Sequence, residues 1–341
     1  MKMKTRVTSE FFFLLTTAVL LVLAVGSRPN FVGSDTAAYA NYYDRLHNHL
    51  SVYINYEYFF QTIAKLLTRF FSTPEFFFAC IAIINCALIT ILVLKLSAVI
   101  EHKIETFQLF FLMGVFLLLS PFFFAVMANV IRHGTAILAL FIFYVTLISR
   151  TNLLLLALSL IIALGFHYTS IIGIAFSPLL FLRYRAIFYL VLIMVCLYMS
   201  GLSERMIHFI STLTPLDLYS KIQGYRLDIG YKSGIRLDFA LFTLAAGVIS
   251  SGFGKYFLNA DDRAVFFPLI KIYWVLVLPF FFFGFAAFSD RYLLSGWLFL
   301  SVLGAVFLGL LLRNYLVSAR YLYSAFGVST VYFLLRMQGL L

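Results

Sequence analysis

The most constraining feature of this sequence is a stretch of about forty residues, Thr106 to Ile148, that is almost entirely apolar. Arg132 and His133 are its only charged or histidine side chains. A guanidinium at mid-bilayer costs at least ~2.5–3.5 kcal/mol on insertion scales, so an arginine in such a stretch requires a partner and a reason. The stretch therefore predicts two membrane spans with an ionisable site beside them.

Composition extends this interpretation to the whole chain. Of its 341 residues 63% are hydrophobic and 11% are charged, and the mean hydropathy is +1.00, whereas soluble domains carry about 25% charged residues. The sequence predicts an all-α polytopic integral membrane protein. The net charge of +11 is explained by basic cytoplasmic loops and anionic lipid, so nucleic acid is not expected as a partner.

Apolar runs separated by basic or polar residues predict about eleven transmembrane helices in a single transmembrane domain, residues 1–341. The basic segment 1–6 places the N-terminus in the cytoplasm, and we expect the first helix to remain uncleaved. The predicted spans are 10–27, 75–97, 105–124, 130–148, 152–166, 168–182, 186–202, 237–254, 266–288, 292–312 and 319–336. Pro121 is expected to break or kink the end of its span.

Two longer loops are predicted on the extracytoplasmic side, at residues 28–74 and 203–236. Within the first, residues 56–71 carry polar side chains at four-residue spacing between apolar faces, which predicts an amphipathic helix lying on the membrane surface. The chain shows no internal repeat and no half-to-half symmetry, which argues against a transporter.

The predicted threading puts most of the unusual polar residues on the extracytoplasmic face, which favours one site there. The candidate residues are Asp35, Tyr39, Glu57, Arg132, His133, His167, Arg236 and Arg291.

Arginines near the span ends are candidates for binding phosphate. Arg132 follows Asn129, which is expected to cap the next helix, and a helix N-terminus together with a guanidinium suits an anion. Arg236 and Arg291 are further candidates, and the alternative for each is a local ion pair with the neighbouring Asp238 or Asp290. Three arginines near one cavity would suit a pyrophosphate.

Three residues are candidate catalytic groups. His167, at the turn of a short apolar hairpin, suits a general base. Asp35 and Glu57 are the acids closest to apolar structure on this face, and either is able to act as base or to orient a sugar hydroxyl. The alternative for both is an ion pair with Arg28, Arg45 or Lys65. No motif predicts a metal site, and no Gly-rich loop predicts a nucleotide or another cofactor.

The sequence resembles the EpsG-like, Wzy-type polysaccharide polymerase family. The matching segments follow in order along most of the chain: Gly33-Ser34-Asp35 with Tyr39 and Tyr43, Tyr56-Glu57-Tyr58, Asn129 to His133, Phe166 to Ser170, Gly234 to Asp238, and Asp290-Arg291-Tyr292. Ser34 and His133 depart from the family pattern, which has Gly-Thr-Asp and Asn-x-x-Arg-Gln. His133 either orients Arg132 or adds a titratable group.

The resemblance implies a GT-C-like glycosyltransferase in the bacterial cytoplasmic (inner) membrane, with its active site facing the periplasm or exterior. It would move a glycan from undecaprenyl pyrophosphate to the next lipid-linked repeat unit of an O-antigen or related polysaccharide, without metal. Arg132, Arg236 and Arg291 would hold the pyrophosphate. A chain-length regulator and a flippase are possible partners. The alternatives are a single-transfer glycosyltransferase or ligase, a glycolipid transporter, and an acyltransferase.

Overall fold

The computed structural model is helical throughout the residues it describes, and none of these forms a strand. The described residues are 2–52, 54, 56–213, 219–220, 234–286, 288–313 and 319–341. The first six helices are α1 Lys2–Gly26, α2 Thr36–His47, α3 Tyr58–Leu67, α4 Pro74–Val99, α5 Thr106–Leu119 and α6 Pro121–Phe124. The later helices are α7 Ile131–Ser149, α8 Leu153–Phe166, α9 Ser170–Phe176, α10 Tyr184–Met199, α11 Leu202–Leu213, α12 Leu237–Phe257, α13 Ala260–Phe283, α14 Asp290–Leu312 and α15 Ala319–Met337.

The chain is a multi-pass membrane protein. Among the described residues six helices are long and apolar enough to cross a bilayer: α4, α7, α12, α13, α14 and, from Thr8, α1. Two bent pairs raise the number to as many as eight. All eleven predicted spans fall on helices, but the shorter ones, at 153–166 and 170–181, do not reach the length of an ordinary span. The count of eleven stays a prediction.

The chain divides into two compact units. The first comprises Met1–Ser170 and Gly304–Leu341, and the second comprises Ile171–Leu303. The expectation of a single transmembrane domain, with loops of the predicted extent, stays a prediction.

The first unit is built around α7, of which residues 134–146 are buried without interruption. This helix packs against α4 and α8, while α1 packs against α4 and α15 packs against α5. A helix with apolar side chains on every face is suited to a position surrounded by other helices. The N-terminus of α7, where Arg132 lies, is therefore held by several neighbours.

A sharp break precedes α7, as Pro121 predicted. Helix α5 ends at Leu119, and the chain resumes after Ser120 at an angle of 78°. Proline has no N–H to continue the previous helix and is favoured at the first position of a new one. A π-helical turn, Ala125–Asn129, completes the segment.

The first predicted loop contains two helices, α2 and α3, both packed against α4. The expected amphipathic helix is present but shorter, at Tyr58–Leu67. It buries Phe60 and Ala64 and leaves Leu66 exposed. Helix α2 was not predicted, because its tyrosines and small polar residues are also common in loops.

In the second unit the observed structure differs from the loop predicted for residues 203–236. Its first part is helical, since α11 runs to Leu213 at 85° to α10. Most of the remaining loop, 214–218 and 221–233, lies outside the described residues. The predicted span 168–182 consists of α9 followed by a 3-10 segment, Ser177–Phe181.

Candidate functional site

Three charged or titratable side chains meet in the first unit, each from a different element. Glu57 is the residue before α3, Arg132 lies in the first turn of α7, and His167 directly follows α8. Glu57 Oε1 lies 2.7 Å from His167 Nδ1, and Glu57 Oε2 accepts a hydrogen bond from Arg132 Nη1. Because Glu57 does not cap its own helix, both of its oxygens are available for these partners. We call these three residues the Glu57 cluster.

The Glu57 carboxylate is buried, with 7% of its side chain exposed. Burial by itself would raise the pKa of Glu57, but the hydrogen bond with His167 and the charge of Arg132 outweigh it and lower the pKa to about 2. Glu57 is therefore ionised at neutral pH and only accepts hydrogen bonds. A carboxylate with so low a pKa is a weak base, which makes His167 the better candidate for the base.

The ionised Glu57 also fixes the tautomer of His167. Since a carboxylate cannot donate, Nδ1 must carry the proton in the hydrogen bond to Glu57. In the neutral imidazole Nε2 is then the proton acceptor. The arrangement of carboxylate, Nδ1–H and a basic Nε2 is the one that prepares a histidine for general base catalysis.

Aromatic rings surround the Arg132 guanidinium. Its carbon lies 4.4 Å from the centre of the Tyr56 ring, 5.9 Å from that of Tyr39 and 5.8 Å from that of Phe60. Such contacts stabilise a cation without neutralising its charge. Arg132 Nε is buried and has no hydrogen-bond partner among the described residues.

His133 and Tyr39 lie beside the Glu57 cluster. The His133 ring stands 4.6 Å from that of His167, centre to centre, at 37°. Burial raises the pKa of Tyr39, and the charge of Arg132 opposes this rise. Tyr39 therefore remains protonated at neutral pH and keeps its hydroxyl as a donor.

Asp35 is held near these residues by Asn129, and here the predicted role of Asn129 was wrong. Asn129 does not cap α7, which begins after Val130 without a side-chain cap. Its Oδ1 instead accepts from the Asp35 backbone N–H at 3.1 Å and from Ser34 Oγ at 2.6 Å. The π-helical turn directs the Asn129 side chain to the start of α2, and it fastens the Gly-Ser-Asp segment to the chain entering α7.

The sequence interpretation missed Arg28, which was considered only as a partner for acids. Its side chain is buried, with 4% of the residue exposed. Nη1 donates to the Val25 carbonyl at 2.7 Å and Nε donates to Thr36 Oγ1 at 3.2 Å. Its position just after an apolar helix was the available signal, but the same position is common for arginines that reach lipid headgroups.

The two other predicted arginines belong to the second unit. Arg236 forms a bidentate ion pair with Asp238, at 2.9 Å from Nε to Oδ1 and 2.6 Å from Nη2 to Oδ2, so the local pairing considered as its alternative is present. Arg291 lies in the first turn of α14 with its guanidinium carbon 4.6 Å from the centre of the Phe288 ring. A role of either in phosphate binding stays a prediction.

No three His, Cys, Asp or Glu side chains within the described ranges come together as a metal site would require.

Fold and cluster together define a class: a multi-pass helical membrane protein with a buried carboxylate, a histidine and an arginine brought together between its helices. The chain belongs to the EpsG family, whose model matches residues 11–338. Membership suggests a glycosyltransferase of the polysaccharide-polymerase type. No match was found among curated proteins or among solved structures.

Proposed function

We propose that the protein polymerises lipid-linked oligosaccharide repeat units. The growing glycan leaves undecaprenyl pyrophosphate and is transferred to a hydroxyl of the next lipid-linked unit, at the outer face of the bacterial cytoplasmic membrane. The product is an O-antigen or a related surface polysaccharide. The observation that carries this proposal is the Glu57 cluster, in a chain that belongs to the EpsG family.

In the proposed reaction His167 Nε2 takes the proton from the acceptor hydroxyl. The hydroxyl oxygen attacks the anomeric carbon of the donor, and the bond from that carbon to the pyrophosphate oxygen breaks. The bonding electron pair leaves with the pyrophosphate. Glu57 holds the Nδ1–H of His167 and stabilises the imidazolium that forms.

Arg132 balances the charge of the leaving group in this proposal. Pyrophosphate is already a good leaving group, so the site has to neutralise developing negative charge more than it has to activate the bond. Arg132 retains a buried Nε and lies at a helix N-terminus, both of which favour an anion. Tyr39 and His133 line the same place, and Asp35 is available to orient a sugar hydroxyl.

The test is a purified protein in proteoliposomes given one lipid-linked repeat unit in the presence of EDTA. The proposal predicts a ladder of glycans on the lipid, with no nucleotide and no divalent metal added. A single added unit would indicate the ligase alternative. Movement of the glycolipid across the bilayer without any new glycosidic bond would indicate the transporter.

A further inference from the structure

A second guanidinium near the Glu57 cluster has no acidic partner. No carboxylate lies within ion-pair distance of Arg28 among the described residues, and its Nη2 is buried without a hydrogen-bond partner there. The groups that it does contact are neutral: the Val25 carbonyl, the Thr36 hydroxyl and the Phe78 ring, whose centre is 3.9 Å from the guanidinium carbon.

A buried cation without a counter-ion is costly to the fold. Desolvation lowers the pKa of Arg28 to about 10, and Tyr39 partly opposes this effect. The side chain still carries its charge at neutral pH. A neutral long side chain such as methionine would fill the same volume without that cost, so the fold alone gives no reason for a charge at this position.

The position of Arg28 relates it to the proposed site. Its partner Thr36 begins α2, and Tyr39 follows one turn later on the same face of that helix. Tyr39 in turn lies against Arg132. Tyr39 thus interacts electrostatically with both arginines, Arg28 and Arg132.

The charge balance of this region favours a role for Arg28 in binding an anionic ligand. Arg132 is paired with Glu57, so their formal charges cancel. The Asp35 carboxylate, which also acts on Tyr39, adds a negative charge, and its Oδ1 lies 3.0 Å from Ser34 Oγ. Without Arg28, the formal charges of Arg132, Glu57 and Asp35 sum to −1, which would repel a diphosphate.

We propose that Arg28 is a positioning residue for the diphosphate, supplying a second fixed positive charge beside Tyr39 in addition to that of Arg132. This inference rests on the proposed function and names a further determinant of donor binding. Arg28 acts through the electric field of its charge, so its loss raises the KM for the lipid-linked donor more than it lowers kcat.

The experiment compares Arg28→Met, Arg28→Lys and Thr36→Val with the wild type. Arg28→Met removes the charge and keeps the length; Arg28→Lys keeps the charge with a different hydrogen-bond geometry; Thr36→Val removes a hydrogen-bond partner and leaves the charge. We expect Arg28→Met to raise the KM for the donor at least tenfold. Arg28→Lys and Thr36→Val should stay much closer to the wild type. Equal losses in all three, following their thermal midpoints, would assign Arg28 a merely structural role and overturn the inference.

A binding measurement separates this inference from the proposed function. Farnesyl diphosphate, used as the probe, should raise the thermal midpoint of the wild type and of Arg28→Lys, and the rise should be lost in Arg28→Met. If the wild type makes no ladder but shows this pattern, the diphosphate site stands and the polymerase proposal fails. If Arg28→Met does not fold, loss of the shift in Arg28→Lys overturns the inference.

Discussion

At the scale of single residues, one buried carboxylate organises the candidate site. Glu57 accepts from Arg132 with one oxygen and from His167 with the other. It thereby connects the start of α3 to the N-terminal end of α7 and to the C-terminal end of α8. The carboxylate that accepts from His167 Nδ1 leaves Nε2 as the acceptor nitrogen of the neutral imidazole. In the proposed function His167 is therefore the base and Glu57 orients it, two roles that the sequence left open.

We predict that Glu57→Gln lowers the rate of glycan transfer by ~10²-fold or more, the contribution typical of general acid–base catalysis. An amide can donate to His167 Nδ1 and thus permits the wrong tautomer, with Nε2 protonated. Glu75→Gln, an exposed acid in the first turn of α4, is the control and should leave the rate unchanged. A Glu57→Gln protein that transfers at the wild-type rate would exclude His167 as an oriented base.

The lowered pKa of Glu57 predicts a dependence of stability on acid. A carboxylate whose pKa falls from 4.5 to about 2 on folding stabilises the protein fully above pH 4.5, and this contribution disappears as the pH falls towards 2. It amounts to roughly 3 kcal/mol. Thermal unfolding in detergent between pH 6 and pH 2.5 measures it. Glu57→Gln should lose less stability over this range than the wild type, and equal losses would contradict the prediction.

The sequence could predict the members of the Glu57 cluster but not their contacts. Arg132 and His167 stand out because they interrupt apolar runs, and burial of such groups demands partners. Along the chain Arg132 is 75 residues and His167 is 110 residues from Glu57. No local sequence pattern encodes contacts over such separations. Arg28 was missed because an arginine directly after an apolar helix commonly reaches the lipid headgroups. The sequence does not show that this arginine is buried.

At the scale of structural elements, the segment 28–36 and the break before α7 depend on each other. Gly33 has φ +86°, and a Cβ there would lie 2.6 Å from the Ala128 carbonyl oxygen. Thr36 Oγ1 lies 3.0 Å from the same oxygen. The close approach of these two backbones, fastened by Asn129, sets where Asp35 and α2 stand relative to the start of α7.

We predict that Gly33→Ala destabilises the first unit by at least ~1–3 kcal/mol, since it combines a strained backbone with a steric clash. The control is Gly201→Ala, where φ is also positive, at +71°, but no atom lies within 4 Å of the added Cβ. Thermal midpoints of the two variants give the comparison. The larger loss should belong to Gly33→Ala, and equal losses would mean that the contact with Ala128 contributes nothing.

Elements with strong local signals were predictable and the others were not. Proline chemistry predicted the break at Pro121, and sustained hydrophobicity predicted α4, α7 and α13. Helix α11 was predicted as loop because its polar residues at 203–205 resemble a turn. The cap assigned to Asn129 failed because the π-helical turn that redirects its side chain has no recognisable sequence signature.

At the scale of the whole molecule, the proposed function places the candidate site and the loop after α4 on opposite sides of the membrane. Helix α4, Pro74–Val99, connects the two and is long and apolar enough to cross a bilayer. The orientation itself follows from the predicted cytoplasmic N-terminus, which cysteine labelling tests.

We predict that Ser51→Cys reacts with a membrane-impermeant maleimide in spheroplasts, whose cytoplasmic membrane is intact. Glu101→Cys should react only after that membrane is permeabilised. Both positions are exposed. The background needs Cys80, Cys86 and Cys196 replaced, since all three are free thiols. The reverse pattern would place the Glu57 cluster on the cytoplasmic side and remove the proposed extracytoplasmic reaction.

The most direct measurement of the central claim is the rate of ladder formation by Arg132→Ala in proteoliposomes, beside Arg150→Gln at the opposite end of the same helix. If Arg132 neutralises the departing pyrophosphate, Arg132→Ala should lose at least ~10²-fold in rate, while Arg150→Gln stays close to the wild type. A folded Arg132→Ala protein that builds the ladder at the wild-type rate would contradict the claim.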